Sequence, residues 1–217
     1  MLQITNLPLI RKRIYKVLVI ILAVLLVSFK THVNTSSGQL PFQKIDTGDT
    51  LRLNREIDKV KQFIKTSGQY NASIAFLLDM KIPSGKNRFF IVDLQRHKIV
   101  DQGLVAHGSG SETGRSGILK FSNQPRSFAT SLGIYVIGNA YLGNFGKAYN
   151  LHGLEDSNSN AFKRRIVLHT YGGMPYNEQI SPICLSLGCP MVNIEFYQRL
   201  QLIIDSTKTP IILYIYY

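Results

Sequence analysis

The feature that most constrains the fold is a change of period at Gly68. Before it, Leu53, Ile57, Val60 and Ile64 recur near helical spacing with charges between them, so residues 51–66 are predicted to form a helix. After it, apolar residues come in short blocks at 73–80, 88–94 and 99–106. The blocks are cut by Pro83-Ser84-Gly85-Lys86-Asn87 and by Gln95-Arg96-His97-Lys98, which read as turns between strands. Further strands are predicted at 132–137, 166–169 and 210–217, with a glycine-spaced turn region at 138–146. Asn193 can cap a second helix over 194–204, with Phe196, Leu200 and Ile203 on one face. Many strands and few helices predict a mainly β domain, a sandwich or barrel with short accessory helices.

Two of these strands deliver chemistry to loops. Ile166-Val167-Leu168 carries His169 to a loop with Gly172 and Gly173, and twenty residues after that histidine comes Cys189, in Ser186-Leu187-Gly188-Cys189-Pro190. A histidine at a strand end and a cysteine after a glycine are the two halves of an activated thiol nucleophile. Gly188 permits a tight turn and a close substrate approach. Pro190 has no N–H, so a backbone oxyanion hole would draw on the amides of Gly188 and Cys189, with Leu187 as a further donor. The same residues also fit a buried, inert cysteine beside a core histidine. The strand at 99–106 delivers a second histidine, His107, to a polar, glycine-rich stretch.

The ordered set of motifs is more specific than any one of them. Ser186-Leu187-Gly188-Cys189 behind a strand ending in histidine resembles the signature of YkuD-type L,D-transpeptidases, in the branch where proline follows the cysteine. Other pieces of that resemblance are Ala106-His107-Gly108, Phe121-Ser122-Asn123 with Pro125 and Ser127, and Ser131-Leu132-Gly133 with Tyr135 and Gly138. Gly153-Leu154-Glu155 and Asn160-Ala161 with Arg164 complete it, so that it covers roughly residue 73 to the end of the chain.

The resemblance implies a YkuD-like β-sandwich or barrel catalytic domain that acts on peptidoglycan tetrapeptide stems. It implies a thioester acyl-enzyme on Cys189, with His169 as base, release of D-alanine and formation of a cross-link. It further implies that the carbonyl of Thr170 orients the imidazole, and that Ser186 and Gly188 shape the nucleophile turn. His107, Arg164, Asn123 and Tyr135 are the implied substrate-binding residues; Tyr135, like Tyr141, also fits the core or the rim. No cofactor and no metal are implied. Two positions depart from the commonest signature, which has histidine before the glycine and arginine two residues after the cysteine; here they are Leu187 and Met191. An L,D-carboxypeptidase or endopeptidase with the same nucleophile, or a non-catalytic peptidoglycan-binding module, is the alternative. A zinc peptidase built on His107, His152 and His169 lacks an H-E-x-x-H motif and an acidic partner at ligand spacing. His152 reads as a structural residue in a polar loop.

Cys184 lies five residues before Cys189, and so short a loop would strain a disulfide between them. The chain is basic, with a formal net charge of +12, but no cluster of Lys and Arg interleaved with aromatics points to nucleic acid. Attraction to anionic envelope polymers is the sharper reading of that charge. Arg11, Lys12, Arg13 and Lys16 precede an apolar run over 17–27, shorter than the ~20 residues that span a bilayer comfortably. Residues 1–30 are therefore expected to be a signal peptide or signal anchor, 31–50 a linker, 51–70 an accessory helix and 71–217 the catalytic domain. The expected location is outside the cytoplasmic membrane, in the periplasm or cell envelope, with membrane contact only through the N-terminal segment.

Overall fold

A computed structural model describes residues 46–115 and 117–217. The expected leader, and the linker up to residue 45, lie outside the described residues. The chain runs α1 (Thr47–Ser67), β1 (Ile74–Asp79), β2 (Phe89–Asp93), β3 (Lys98–Gly103) and a 3-10 turn at Ser109–Ser111. It continues through β4 (Gly133–Gly143), β5 (Gly146–Gly153), β6 (Val167–Thr170), β7 (Met191–Val192), α2 (Ile194–Ser206) and β8 (Ile212–Tyr216). The domain is mainly β: one mixed sheet of eight strands in the order β3-β2-β1-β8-β4-β5-β6-β7. The pairs β1–β8 and β6–β7 are parallel and the rest antiparallel.

Beyond β3, Ala106 bridges Met191 of β7, and its N–H donates to the Met191 carbonyl at 2.9 Å. This single bridge links the segment after β3 to β7, the other end of the strand order.

The central strands are apolar throughout because both of their faces are covered. Phe76 and Leu78 of β1, Leu213 and Ile215 of β8, Tyr135 and Ile137 of β4 and Tyr149 of β5 face α2, which contributes Phe196, Tyr197 and Leu200. Ala75, Leu77, Phe90, Ile212 and Tyr214 face the other way, against Leu53, Ile57, Val60 and Ile64 of α1. Burying each of those four helical side chains stabilises the domain by about 1.5–3 kcal/mol. Helix α1 thus forms one wall of the core. It begins at Thr47, four residues before the periodicity predicts, and ends at Gly68 in the left-handed conformation, whose N–H bonds to the Ile64 carbonyl. Arg52 ties it to the buried carboxylate of Asp79 at 2.7 Å. Helix α2 is capped by the Asn193 side chain, which accepts from the Glu195 N–H.

The stretch read as turns differs most from expectation. Residues 138–146 form the end of a long strand and a two-residue hairpin, Asn144-Phe145, closed by the pair Gly143 and Gly146. His152 lies in β5, not in a loop, and stacks on Phe162 with ring centroids 4.7 Å apart.

Candidate active site

Parallel pairing of β6 and β7 brings the two halves of the nucleophile motif to one cleft. His169 is the register partner of Met191, and its N–H reaches the Pro190 carbonyl at 3.4 Å. The turn into β7 depends on Gly188, whose φ is +115°. A side chain there would stand 3.0 Å from the Ala129 carbonyl and 3.3 Å from the Arg164 guanidinium. The Ser186 backbone is clamped on both sides: its N–H donates to the His107 carbonyl at 2.9 Å and its carbonyl accepts from Ser109 at 2.8 Å. Its hydroxyl accepts the Gly188 N–H at 3.1 Å. One of the amides expected at the oxyanion hole is therefore already engaged, and the Cys189 amide is the better-placed donor.

The Cys189 thiol accepts from the Val167 N–H at 3.4 Å and points its own proton towards the Arg165 carbonyl at 3.7 Å. Burial pushes the thiol above its usual range, opposed by the Val167 N–H and the Arg164 charge. His169 Nδ1 donates to the Thr170 carbonyl at 2.9 Å. A carbonyl can only accept, so the proton sits on Nδ1 and Nε2 keeps its lone pair. Burial pulls the imidazole down, against the raising effect of that same bond. Both groups are thus neutral at rest, and the imidazole can act as a base rather than as half of a standing ion pair.

Both side chains line a cleft of about 630 Å³. Its walls are largely apolar, with Phe145, Val167, Leu185, Leu187 and Met191 among them. Phe145, at the hairpin tip, stacks on His169 with centroids 5.3 Å apart and planes 22° apart, and meets Tyr171 edge-on. In the sequence it is marked only as an aromatic residue in a glycine-flanked turn. The second cysteine, Cys184, also lines the cleft, and both thiols are free.

A family profile for the YkuD-type L,D-transpeptidase catalytic domain matches residues 48–216. The chain belongs to the L,D-transpeptidase catalytic domain family. Comparison with curated proteins gives no match. The family match begins inside α1, in keeping with that helix being part of the core.

Not every residue nominated from the sequence reaches the cleft. The structure brings Cys189, His169, Thr170, Ser186 and Gly188 together, and sets the four substrate-contact candidates apart. His107 is 3% exposed and lies behind the loop that carries Cys189. Arg88 donates to its Nδ1 at 2.9 Å, so its Nε2–H faces Glu112 at 2.6 Å. Burial and the Arg88 charge lower its pKa. Arg164 directs one terminal nitrogen to the Ser122 carbonyl and Ser131 Oγ, and the other to the Ala129 carbonyl and Ser127 Oγ. No terminal N–H is left for a substrate carboxylate.

Asn123 brackets two loops, donating to Asp156 and Ser159 and accepting from Asn160. Tyr135 is fully buried, bonded to Ser131, and pushed up to about 12 by burial. Among the described residues no three metal-ligating side chains come together, and His107, His152 and His169 stand apart. No helix of the described residues is long and apolar enough to cross a membrane.

Proposed function

We propose that the domain transfers the acyl group of a peptidoglycan tetrapeptide stem through a thioester on Cys189. The observation that carries this reading is the His169–Thr170 bond, which leaves Nε2 as a proton acceptor in the cleft that holds the thiol. As sulfur attacks the carbonyl between the third and fourth stem residues, the thiol proton passes to Nε2 and an oxyanion forms near the Cys189 amide. Collapse breaks the C–N bond. The imidazolium returns its proton to the departing amine, which leaves as D-alanine. An amine from a neighbouring stem then attacks the thioester, gives a proton to His169, and releases a cross-linked product with the thiol restored. Water in place of that amine would make the same site a carboxypeptidase.

The other residues support this chemistry indirectly. Arg164 holds the Ser122–Ser131 loop and favours the thiolate by its charge, while His107 and Ser186 brace the nucleophile turn from behind. Net basic charge would attract the anionic wall polymer, and the reading implies a domain working in the cell envelope.

Intact-protein mass spectrometry after incubation with a tetrapeptide-stem muropeptide tests the proposal. An acyl adduct on Cys189 with equimolar D-alanine is expected. Binding of the muropeptide with neither adduct nor D-alanine would overturn it in favour of a non-catalytic module.

A further inference from the structure

The cleft carries one permanent charge, and none of the chemistry above uses it. Arg165, rather than its neighbour Arg164, lines the wall beside Cys189, and among the described residues no aspartate or glutamate lines the cleft with it. Its side chain is exposed, and no carboxylate among the described residues is paired with it. The backbone places it with some effort. Arg165 has a φ of +57°, a left-handed conformation disfavoured for any side chain but glycine. Its N–H is held by the Phe162 carbonyl at 3.0 Å, and its own carbonyl faces the Cys189 thiol at 3.7 Å. Strain of this kind persists where the surrounding structure needs the geometry, and here it fixes a cation on the residue that touches the sulfur. The neighbouring walls, through Leu185, Leu187 and Met191, offer no charge. Met191 stands where the commonest signature has an arginine, so the cleft has a cation supplied from the turn before β6 in place of one from β7.

We infer that Arg165 binds the C-terminal carboxylate of the residue that Cys189 expels. The inference rests on the proposed acyl transfer. The terminal carboxylate of that residue is only three bonds from the attacked carbon, so the cation that holds it must come from a side chain that can reach the part of the cleft next to the sulfur. Arg165 meets that condition. A guanidinium fork takes a carboxylate through two parallel N–H bonds, which also fixes the scissile carbonyl relative to sulfur. An aliphatic cleft with one cation thus selects donors that end in a free carboxylate.

Two measurements test this, both in a Cys184→Ala background so that one thiol reports. The first compares alkylation of Cys189 by iodoacetate and by iodoacetamide, which differ in charge and little in size. Relative to iodoacetamide, the iodoacetate rate is expected to fall about five- to ten-fold in Arg165→Gln, to recover in Arg165→Lys, and to fall in the parent protein at ~1 M salt. An unchanged ratio in Arg165→Gln overturns the anion site, whether or not the protein turns over. The second measures donor kinetics. For a free-acid tetrapeptide, KM should rise about ten-fold in Arg165→Gln with kcat nearly kept, and the C-terminal amide should show no such difference. An equal loss on the amide, or a loss that vanishes only when a side-chain carboxylate of the donor is blocked, overturns the assignment to the terminal carboxylate. An Arg165-dependent alkylation ratio in a protein that releases no D-alanine supports the anion site while removing the proposed transfer reaction.

Discussion

At the scale of single residues, the proposed reaction needs two neutral groups to become a nucleophile and an acid, and their surroundings decide the pH range in which that works. Burial holds His169 below its ordinary 6.5, so the base stays unprotonated to lower pH than a free imidazole would. The acid limb of kcat/KM for acylation is accordingly expected below pH 6.5, and a limb at or above 6.5 would contradict the buried, neutral histidine. His169→Ala should slow acylation by about two to four orders of magnitude, while Cys189→Ala abolishes it; a mass-spectrometric time course separates the two. Arg164 works by a different route. Its four hydrogen bonds satisfy carbonyls and hydroxyls of the loop packed on Gly188, and its charge lowers the thiol. Arg164→Gln should cost about 1–3 kcal/mol of stability in urea denaturation, and should move the alkaline titration of Cys189 upward. A thiol titration that stays in place would mean the guanidinium acts on packing alone.

At the scale of elements, helix α1 and the β4–β5 hairpin are where sequence and structure part most instructively. The helix was legible from four apolar residues at helical spacing, but periodicity cannot say what the apolar face meets. It meets one whole side of the central strands, so Ile57→Ala should destabilise the domain by about 2–5 kcal/mol, measured by urea denaturation. A loss below ~1 kcal/mol would return the helix to an accessory role. The strands at the centre of the sheet were legible because both of their faces are buried and they read as unbroken apolar blocks. Strand β5, Gly146–Gly153, was not, because glycines end it and Lys147, Asn150 and His152 interrupt its apolar residues. Strand β7 has two residues, too few to leave any period. Cys189 and His169, which line one cleft, were visible as a local motif. The residues around it were harder to assign because a motif records which side chains recur, not which way they face. Arg164 and Arg165 are adjacent in sequence, yet one is used up inside the protein and the other opens on the cleft.

At the scale of the whole molecule, the first and last strands lie side by side at the centre, with Phe76 opposite Leu213 and Leu78 opposite Ile215. Pairings of this kind join residues far apart in sequence and form slowly, since a long loop must close before they yield any stabilisation. A chain ending before Ile212 would lose the strand that links β1 to β4. Such a truncation should expose the apolar faces of both neighbours, bind a hydrophobic dye, and give Cys189 the alkylation rate of an unstructured thiol; protection equal to that of the full chain would contradict the central place of β8. The seam where Ala106 meets Met191 adds a consequence in time. The Cys189 thiol sits two residues from that bridge, and His169 is registered against Met191. In the proposed reaction the sulfur therefore has its base only once β7 has paired with β6, and a chain that has not yet made that pairing carries the thiol unarmed.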